Sequence, residues 1–78
     1  MNLKLLDCVV LKHDLPEAKL RAGDLGTVVE IYSDEDFEVE FVTAAGSTLA
    51  VLTLSKADVR EVERADILAV RSSIDAAA

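Results

Sequence analysis

The sequence is poor in the residues that build disulfides, metal sites and nucleophilic active sites. Cys8 and His13 are its only cysteine and histidine, and it has no tryptophan. A lone cysteine cannot form an intramolecular disulfide, so we expect a reducing cytoplasm and not a secreted, disulfide-stapled domain. Nucleophilic catalysis needs a nucleophile and a base within hydrogen-bond reach, which two residues at the end of one extended strand do not achieve. We therefore predict a non-enzyme with Cys8 in the core and His13 in a solvated loop.

Long apolar runs and positive charge are also scarce. No run approaches the ~20 apolar residues of a membrane-spanning helix, and Asp7 interrupts the apolar N-terminal residues, so we expect neither membrane insertion nor an export signal. Fifteen acidic residues against eight basic ones give a net charge of −7. Such a field repels phosphate backbones and anionic lipid, which disfavours nucleic acid and membranes as partners.

Aliphatic residues are abundant, and 51% of the chain is hydrophobic although only 4% is aromatic. This composition is typical of one small folded domain. Domains below roughly 80 residues often depend on disulfides, a metal or a partner chain for stability. Because the first two are not indicated, we expect a protein partner, a homo-oligomer or both.

Gly23 and Gly26 precede a β-branched run that ends at Ile31. A glycine pair before such a run predicts a tight turn into a strongly bent strand, and we expect both glycines to supply positive φ angles. The spacing is not that of a phosphate-binding loop, because a strand follows instead of a helix. Alternation places Thr27, Val29 and Ile31 on the predicted buried face.

The next strand alternates strictly between apolar and acidic residues. Phe37, Val39 and Phe41 should face the core, and Glu38 and Glu40 should face water. The preceding acidic residues, 34 to 36, are interpreted as a solvated hairpin tip, since consecutive acids point in different directions and no known cation loop is completed.

Short apolar runs separated by proline, glycine and charged residues predict the remaining elements. These are a first strand over residues 7–11, a loop through Pro16 with Leu20 on the core, a hairpin at 44–47, a helical turn at 55–58 capped by Ser55, and a strand at 59–62.

Residues 48–54 form a predicted strand that is apolar on both faces. Leu49 and Val51 lie on one face, and Ala50, Leu52 and Leu54 lie on the other. An apolar outer face needs a cover, which the C-terminal segment or a second subunit would supply. The predicted partner-binding residues are those of this second face and of the acidic outer face of the preceding hairpin: Glu30, Tyr32, Glu38, Glu40, Ala50, Leu52 and Leu54.

The C-terminal region allows two interpretations. Residues 67–70 fit a final edge strand, which we favour, and residues 62–72 also fit a short helix. The sequence predicts an all-β fold, a small SH3-like barrel of about five strands over residues 1–62, with residues 63–78 as an extension that packs on the barrel or on a partner subunit.

The chain resembles an uncharacterised, domain-of-unknown-function family of short bacterial proteins over nearly its whole length. The residues that carry this resemblance are 7–10, 14–16, 20–31, 37–41, 49–54 and 66–71. The resemblance implies an SH3-like barrel. It also implies genes in toxin–antitoxin-like operons, and such a gene context implies a protein partner. The resemblance implies no cofactor or activity.

Two partial resemblances concern the first half of the chain. Residues 7–41 are similar to the barrel of nitrile hydratase β subunits and of electron-transport accessory proteins, which implies an accessory role. Residues 21–28 resemble the KOW motif of ribosomal and transcription-elongation proteins, whose central glycine Gly26 matches. The predicted function is a non-catalytic accessory or protein-interaction module, antitoxin- or immunity-like; the alternative is a KOW-like RNA-associated domain.

Overall fold

The computed structural model describes residues 2–74, and its regular elements are five strands and one 3₁₀ turn. The bounds are β1 Cys8–Leu11, the 3₁₀ turn Pro16–Ala18, β2 Leu25–Ile31, β3 Asp36–Val42, β4 Thr48–Ser55 and β5 Val59–Glu61. The strands form one antiparallel sheet in the order β4-β3-β2-β1-β5. The predicted all-β class and its five strands are confirmed.

The sheet is not closed into a continuous barrel. Among residues 2–74, strand β4 pairs with β3 alone and β5 pairs with β1 alone, so these two strands are the edges of the sheet. Both edges nevertheless contribute to one core, through Leu54 of β4 and Val59 of β5. Because both edge residues reach a single cluster, the sheet must curl around it. The cluster comprises Val9, Leu11, Leu20, Val28, Phe37, Val39, Phe41, Leu54 and Val59, which confirms the predicted inward positions of β3 and of Leu20.

Strand β2 faces the core differently from the prediction. Val28 is fully buried opposite Val39, whereas Thr27 and Val29 are half-buried and Ile31 is exposed at the rim. A register shift lies between Val28 and Glu30, which makes Val29 the extra residue of a β-bulge. A bulge reverses the alternation. The predicted buried face is therefore wrong before the bulge, where Val28 and not Thr27 faces the core, whereas beyond it Ile31 lies on the predicted side, in register with Phe37, but is 38% exposed.

The two glycines before and in β2 have different roles. Gly23 has φ +95°, as predicted, but Gly26 does not have a positive φ. A Cβ on Gly26 would lie 2.4 Å from Val39 Cγ1 and 2.8 Å from Phe41 Cε2. Gly26 therefore allows β2 to approach the β3 side chains closely.

Residues 62–74 form neither the favoured edge strand nor the alternative helix. They form an irregular C-terminal segment, and residues 75–78 of the predicted extension lie outside the described residues. Val10 is buried although it does not belong to the core cluster, and it lines a small cleft together with Ile67 and Leu68. The C-terminal segment therefore crosses the outer face of the sheet at β1. Within residues 2–74, no helix is long and apolar enough to cross a membrane.

Candidate functional site

Cys8 and His13 are not brought together as a catalytic pair. Cys8 is exposed, so the prediction that it belongs to the core is wrong; alternation along β1 gives the core position to Val9. His13 is solvated, as predicted, but its Nε2 lies 2.8 Å from Oδ1 of Asp58. This contact connects the loop after β1 to the turn before β5. The role of His13 is therefore to brace these two parts of the fold against each other.

The His13–Asp58 contact changes the titration of both groups. The Asp58 carboxylate, helped by the backbone carbonyl of Asp14, raises the pKa of His13 above its ordinary 6.5. The pKa of Asp58 is lowered, first by the backbone N–H of Ser55 and then by His13. Ser55 Oγ also accepts a hydrogen bond from the backbone N–H of Ala57, 3.2 Å away. The residues predicted as a helical turn capped by Ser55 thus form a hydrogen-bonded turn and not a helix, in which Ser55 does accept a backbone hydrogen bond, and His13 connects this turn to the loop after β1.

The acidic hairpin tip is organised by a serine. Ser33 Oγ accepts hydrogen bonds from the backbone N–H groups of Glu35 and Asp36, each 3.1 Å away. Within residues 2–74, no three histidine, cysteine or acidic side chains gather into a metal-binding group.

The predicted acidic outer face exists on the β2–β3 hairpin. Glu30 pairs in register with Glu38, and the hydroxyl of Tyr32 donates to Glu38 Oε2 over 3.1 Å. This hydrogen bond, together with partial desolvation and nearby glutamate charge, raises the pKa of Tyr32. Glu40 accepts a 2.7 Å hydrogen bond from the hydroxyl of Thr48 on β4. The three carboxylates therefore form a continuous acidic surface that extends to β4.

The two faces of β4 are exchanged relative to the prediction: the face that was predicted to point outward packs on the core. Ala50, Leu52 and Leu54 are in register with the inward phenylalanine and valine residues of β3, and they pack in or against the core. The exposed aliphatic residues of β4 are Leu49 and Val51, whose side chains are 38% and 46% exposed. The apolar surface expected at residues 50, 52 and 54 thus lies at 49 and 51, while partner binding by the predicted residues remains a prediction.

The two edges of the sheet differ in how they are protected. Proteins shorten edge strands or place charges on them, because unpaired N–H and C=O groups invite another strand. Strand β5 has only three residues, including Arg60 and Glu61. Strand β4 has eight residues, none of them charged, glycine or proline. Its single irregularity lies at Leu49, which leaves residues 50–55 in regular register with β3. Strand β4 is therefore a long, unprotected edge.

A groove of about 550 Å³ adjoins this edge. Its walls include Leu25, Val42 and Leu49 of the sheet and Val70 and Ile74 of the C-terminal segment. The side chains of Val70 and Ile74 are 100% and 88% exposed. These aliphatic groups contribute little to the core and remain open to solvent.

Two arginine–aspartate contacts hold the C-terminal segment on the sheet. Arg60 donates to both carboxylate oxygens of Asp66, at 2.9 and 3.0 Å. With the backbone N–H of Glu63, it lowers the pKa of Asp66 to about 2. Arg71 likewise donates to both oxygens of Asp24. Burial raises the pKa of Asp24, but the hydrogen bonds from Arg71 and the Arg21 backbone outweigh it and leave the pKa lowered.

Residues 5–61 match the model of the domain of unknown function DUF4926. The chain belongs to this family. The match ends at the last residue of β5 and so contains every strand of this DUF4926 domain, while the segment from residue 62 onward lies beyond it. The expected membership of an uncharacterised domain family is confirmed. Comparisons with curated proteins and with solved structures gave no match.

Sequence reasoning missed several features of this DUF4926 surface. The exposure of Leu49 and Val51 depends on the register between β3 and β4, which a strand apolar on both faces does not reveal. The Arg71–Asp24 contact joins residues 47 positions apart, and no local pattern indicates it. The sequence does show that β4 has no charged residue, and this is the one signal that could have identified β4 as an edge strand.

Proposed function

We propose that this DUF4926 chain is a non-catalytic accessory module of the cytoplasm that binds a protein partner along β4. The observation that carries the proposal is an eight-residue edge strand without a charged residue. Two aliphatic residues of this strand, Leu49 and Val51, are exposed.

The physical basis is strand addition. An extended segment of a partner would pair with the open backbone groups of β4, and its side chains would cover the exposed aliphatic groups. Main-chain hydrogen bonds provide affinity in this mode, and alternate side chains provide selectivity. The β5 edge, which is short and charged, offers no equivalent surface.

We further propose that the domain is an incompletely closed SH3-like barrel of bacterial type, encoded beside its partner. The support is a strand order in which four strands follow one another and β5 returns to pair with β1. An antitoxin- or immunity-like role agrees with the net charge of −7, which suits neutralisation of a basic protein. A second copy of the chain is the other protein that the β4 edge could accept.

The RNA-associated alternative has less support. The KOW-like segment continues into β2, and neither β2, nor the adjacent strands β1 and β3, nor β4 contains a lysine or arginine. A surface without cations cannot neutralise phosphates, which supply most of the affinity in nucleic-acid binding.

Affinity capture from the native host tests the proposed function. The baits are wild type, Val51→Lys on the exposed face of β4, and Ala22→Lys on an exposed loop outside the sheet, which introduces the same charge. Urea unfolding verifies that all three are folded. We expect one protein, encoded next to this chain, to be enriched by wild type and Ala22→Lys and lost with Val51→Lys. Equal capture by all three baits, or no specific protein, would contradict binding at β4.

A further inference from the structure

The open edge and the acidic surface are adjacent, and together they define the chemistry of the partner. We propose that the segment added to β4 is cationic, with lysine or arginine alternating with aliphatic or small residues. This inference rests on the proposed function and specifies the partner strand that it requires.

The first support is the distribution of charge across the sheet. Strands β2, β3 and β4 contain no basic residue, and their charged residues are Glu30, Asp36, Glu38 and Glu40. We call these three strands the acidic half-sheet. Its field attracts cations and repels anions, and the uncharged β4 forms its open edge.

The second support is that the glutamates of the acidic half-sheet are not neutralised from within residues 2–74. The ion pairs of these residues use other acids, namely Asp24, Glu35, Asp58, Glu63 and Asp66. Glu38 and Glu40 accept hydrogen bonds from the hydroxyl groups of Tyr32 and Thr48, which orient the carboxylates without removing their charge. Their negative charge is therefore available to a cation from a partner.

The third support is that a side chain of an added strand can reach the glutamates of β3. Glu38 is in register with Thr53 of β4, and Glu40 is in register with Val51. Strands in a sheet lie about 4.8 Å apart, so a strand added to β4 would lie about 10 Å from β3. A lysine or arginine at an outward position can extend its aliphatic stem over Val51 and bring its charged group to these glutamates. The stem would cover the exposed aliphatic surface, and the charged group would meet a carboxylate.

A second copy of this chain fits the edge less well. Pairing β4 with another β4 would place one uncharged strand beside another and bring no cation to Glu38 or Glu40. Both copies would also carry a net charge of −7. A cationic strand satisfies the open backbone groups and the carboxylates together.

Short labelled peptides test the inference directly. One peptide alternates lysine with valine and threonine; two matched peptides have glutamine or glutamate in place of every lysine. Fluorescence anisotropy at low salt and near 0.15 M salt, where the screening length is about 8 Å, measures their binding. We expect the lysine peptide to bind most tightly, the glutamine peptide less tightly and the glutamate peptide not at all. Binding of the lysine peptide should weaken as salt rises.

Charge-neutral variants identify the acids involved. Glu38→Gln with Glu40→Gln should weaken binding of the lysine peptide by roughly 2- to 30-fold, the range expected for two exposed ion pairs, and reduce its salt dependence. The control, Glu17→Gln with Glu61→Gln, removes the same charge outside the acidic half-sheet and should leave the affinity nearly unchanged. Equal losses in the two double variants, or equal binding of the glutamate peptide, would overturn the inference.

Three further outcomes decide between failure of this inference alone and failure of both proposals. In the first outcome, the protein whose capture depends on β4 binds the Glu38→Gln/Glu40→Gln variant as tightly as wild type. The inference that the partner strand is cationic is then wrong, while the proposal that the partner binds at β4 stands. If light scattering shows a wild-type dimer that Val51→Lys dissociates, a second copy occupies the edge and the inference is overturned. If Val51→Lys alters neither capture nor peptide binding, both proposals fail.

Discussion

Arg71 hydrogen-bonds both carboxylate oxygens of Asp24, a residue 47 positions earlier in the chain. The same guanidinium donates to the backbone carbonyl of Lys19 over 3.1 Å, and Asp24 also accepts from the backbone N–H of Arg21. One side chain thus fixes the C-terminal segment to the loop before β2. This contact explains how Val70 can remain beside the sheet while its own side chain faces water.

Arg71→Gln should release the C-terminal segment without unfolding the domain. Arg71 and Asp24 side chains are 31% and 19% exposed, and pairs near the surface contribute about 1 kcal/mol or less to stability. We expect lower backbone NMR order parameters over residues 67–74 and an almost unchanged urea midpoint. Arg64→Gln, at an exposed position, is the matched control and should leave the order parameters unaltered. Unchanged order parameters in Arg71→Gln would show that the contact does not hold the segment.

Gly26→Ala should destabilise the domain. The added methyl group would lie 2.4 Å from Val39 Cγ1 in a fully buried position, so the core must shift. Overpacking of this kind typically costs about 1–3 kcal/mol, which urea unfolding measures.

A double-mutant cycle tests the cause of that loss. Val39→Ala removes the clashing methyl groups, so Gly26→Ala should cost less in that background than in wild type. Gly23→Asn is a useful comparison, because a Cβ at Gly23 has open space, so that any loss of stability there reports the strain of φ +95° and not overpacking. Additive effects of Gly26→Ala and Val39→Ala would contradict the close approach of β2 to β3.

The His13–Asp58 contact should make the brace between β1 and β5 depend on pH. The pKa of His13 is raised above 6.5 by the Asp58 carboxylate. A raised histidine pKa means that the stabilisation is fully present below about pH 6.5 and is lost as pH rises through the folded-state pKa. An NMR titration of His13 should give a midpoint above 6.5, which Asp58→Asn should lower. A wild-type midpoint at or below 6.5 would refute the charged contact.

Single-stranded RNA should not bind. The acidic half-sheet contains the segment after the KOW-like glycine and has no cation to contact phosphates. Fluorescence anisotropy with a mixed-sequence RNA at low salt is the measurement, and the lysine peptide serves as the positive control. Salt-sensitive RNA binding at tens of micromolar protein or below would restore the RNA-associated alternative.

Much of the fold could be predicted from alternation alone. Phe37, Val39 and Phe41 occupy one face of β3 as the pattern requires, because that strand is regular through these positions. The prediction failed for β2, where Val29 is an extra residue and the inward position 26 is a glycine without a side chain. A bulge and a missing side chain leave no trace in an apolar–polar pattern.

The site was less predictable than the fold, because pairing between distant residues decides it. The acidic face at Glu30, Glu38 and Glu40 followed from alternation, but β4 is apolar on both faces and its orientation is set by register with β3. The C-terminal segment has strand-like residues, yet the contact of Arg60 with Asp66 and the long-range contact of Arg71 with Asp24 determine its path. Local periodicity contains no information about such contacts.

Amide hydrogen exchange with and without saturating lysine peptide tests the central claim most directly. The account predicts slower exchange within β4, residues 48–55, and no change at the opposite edge, residues 59–61. Unchanged exchange in β4, or protection confined to β5, would contradict it.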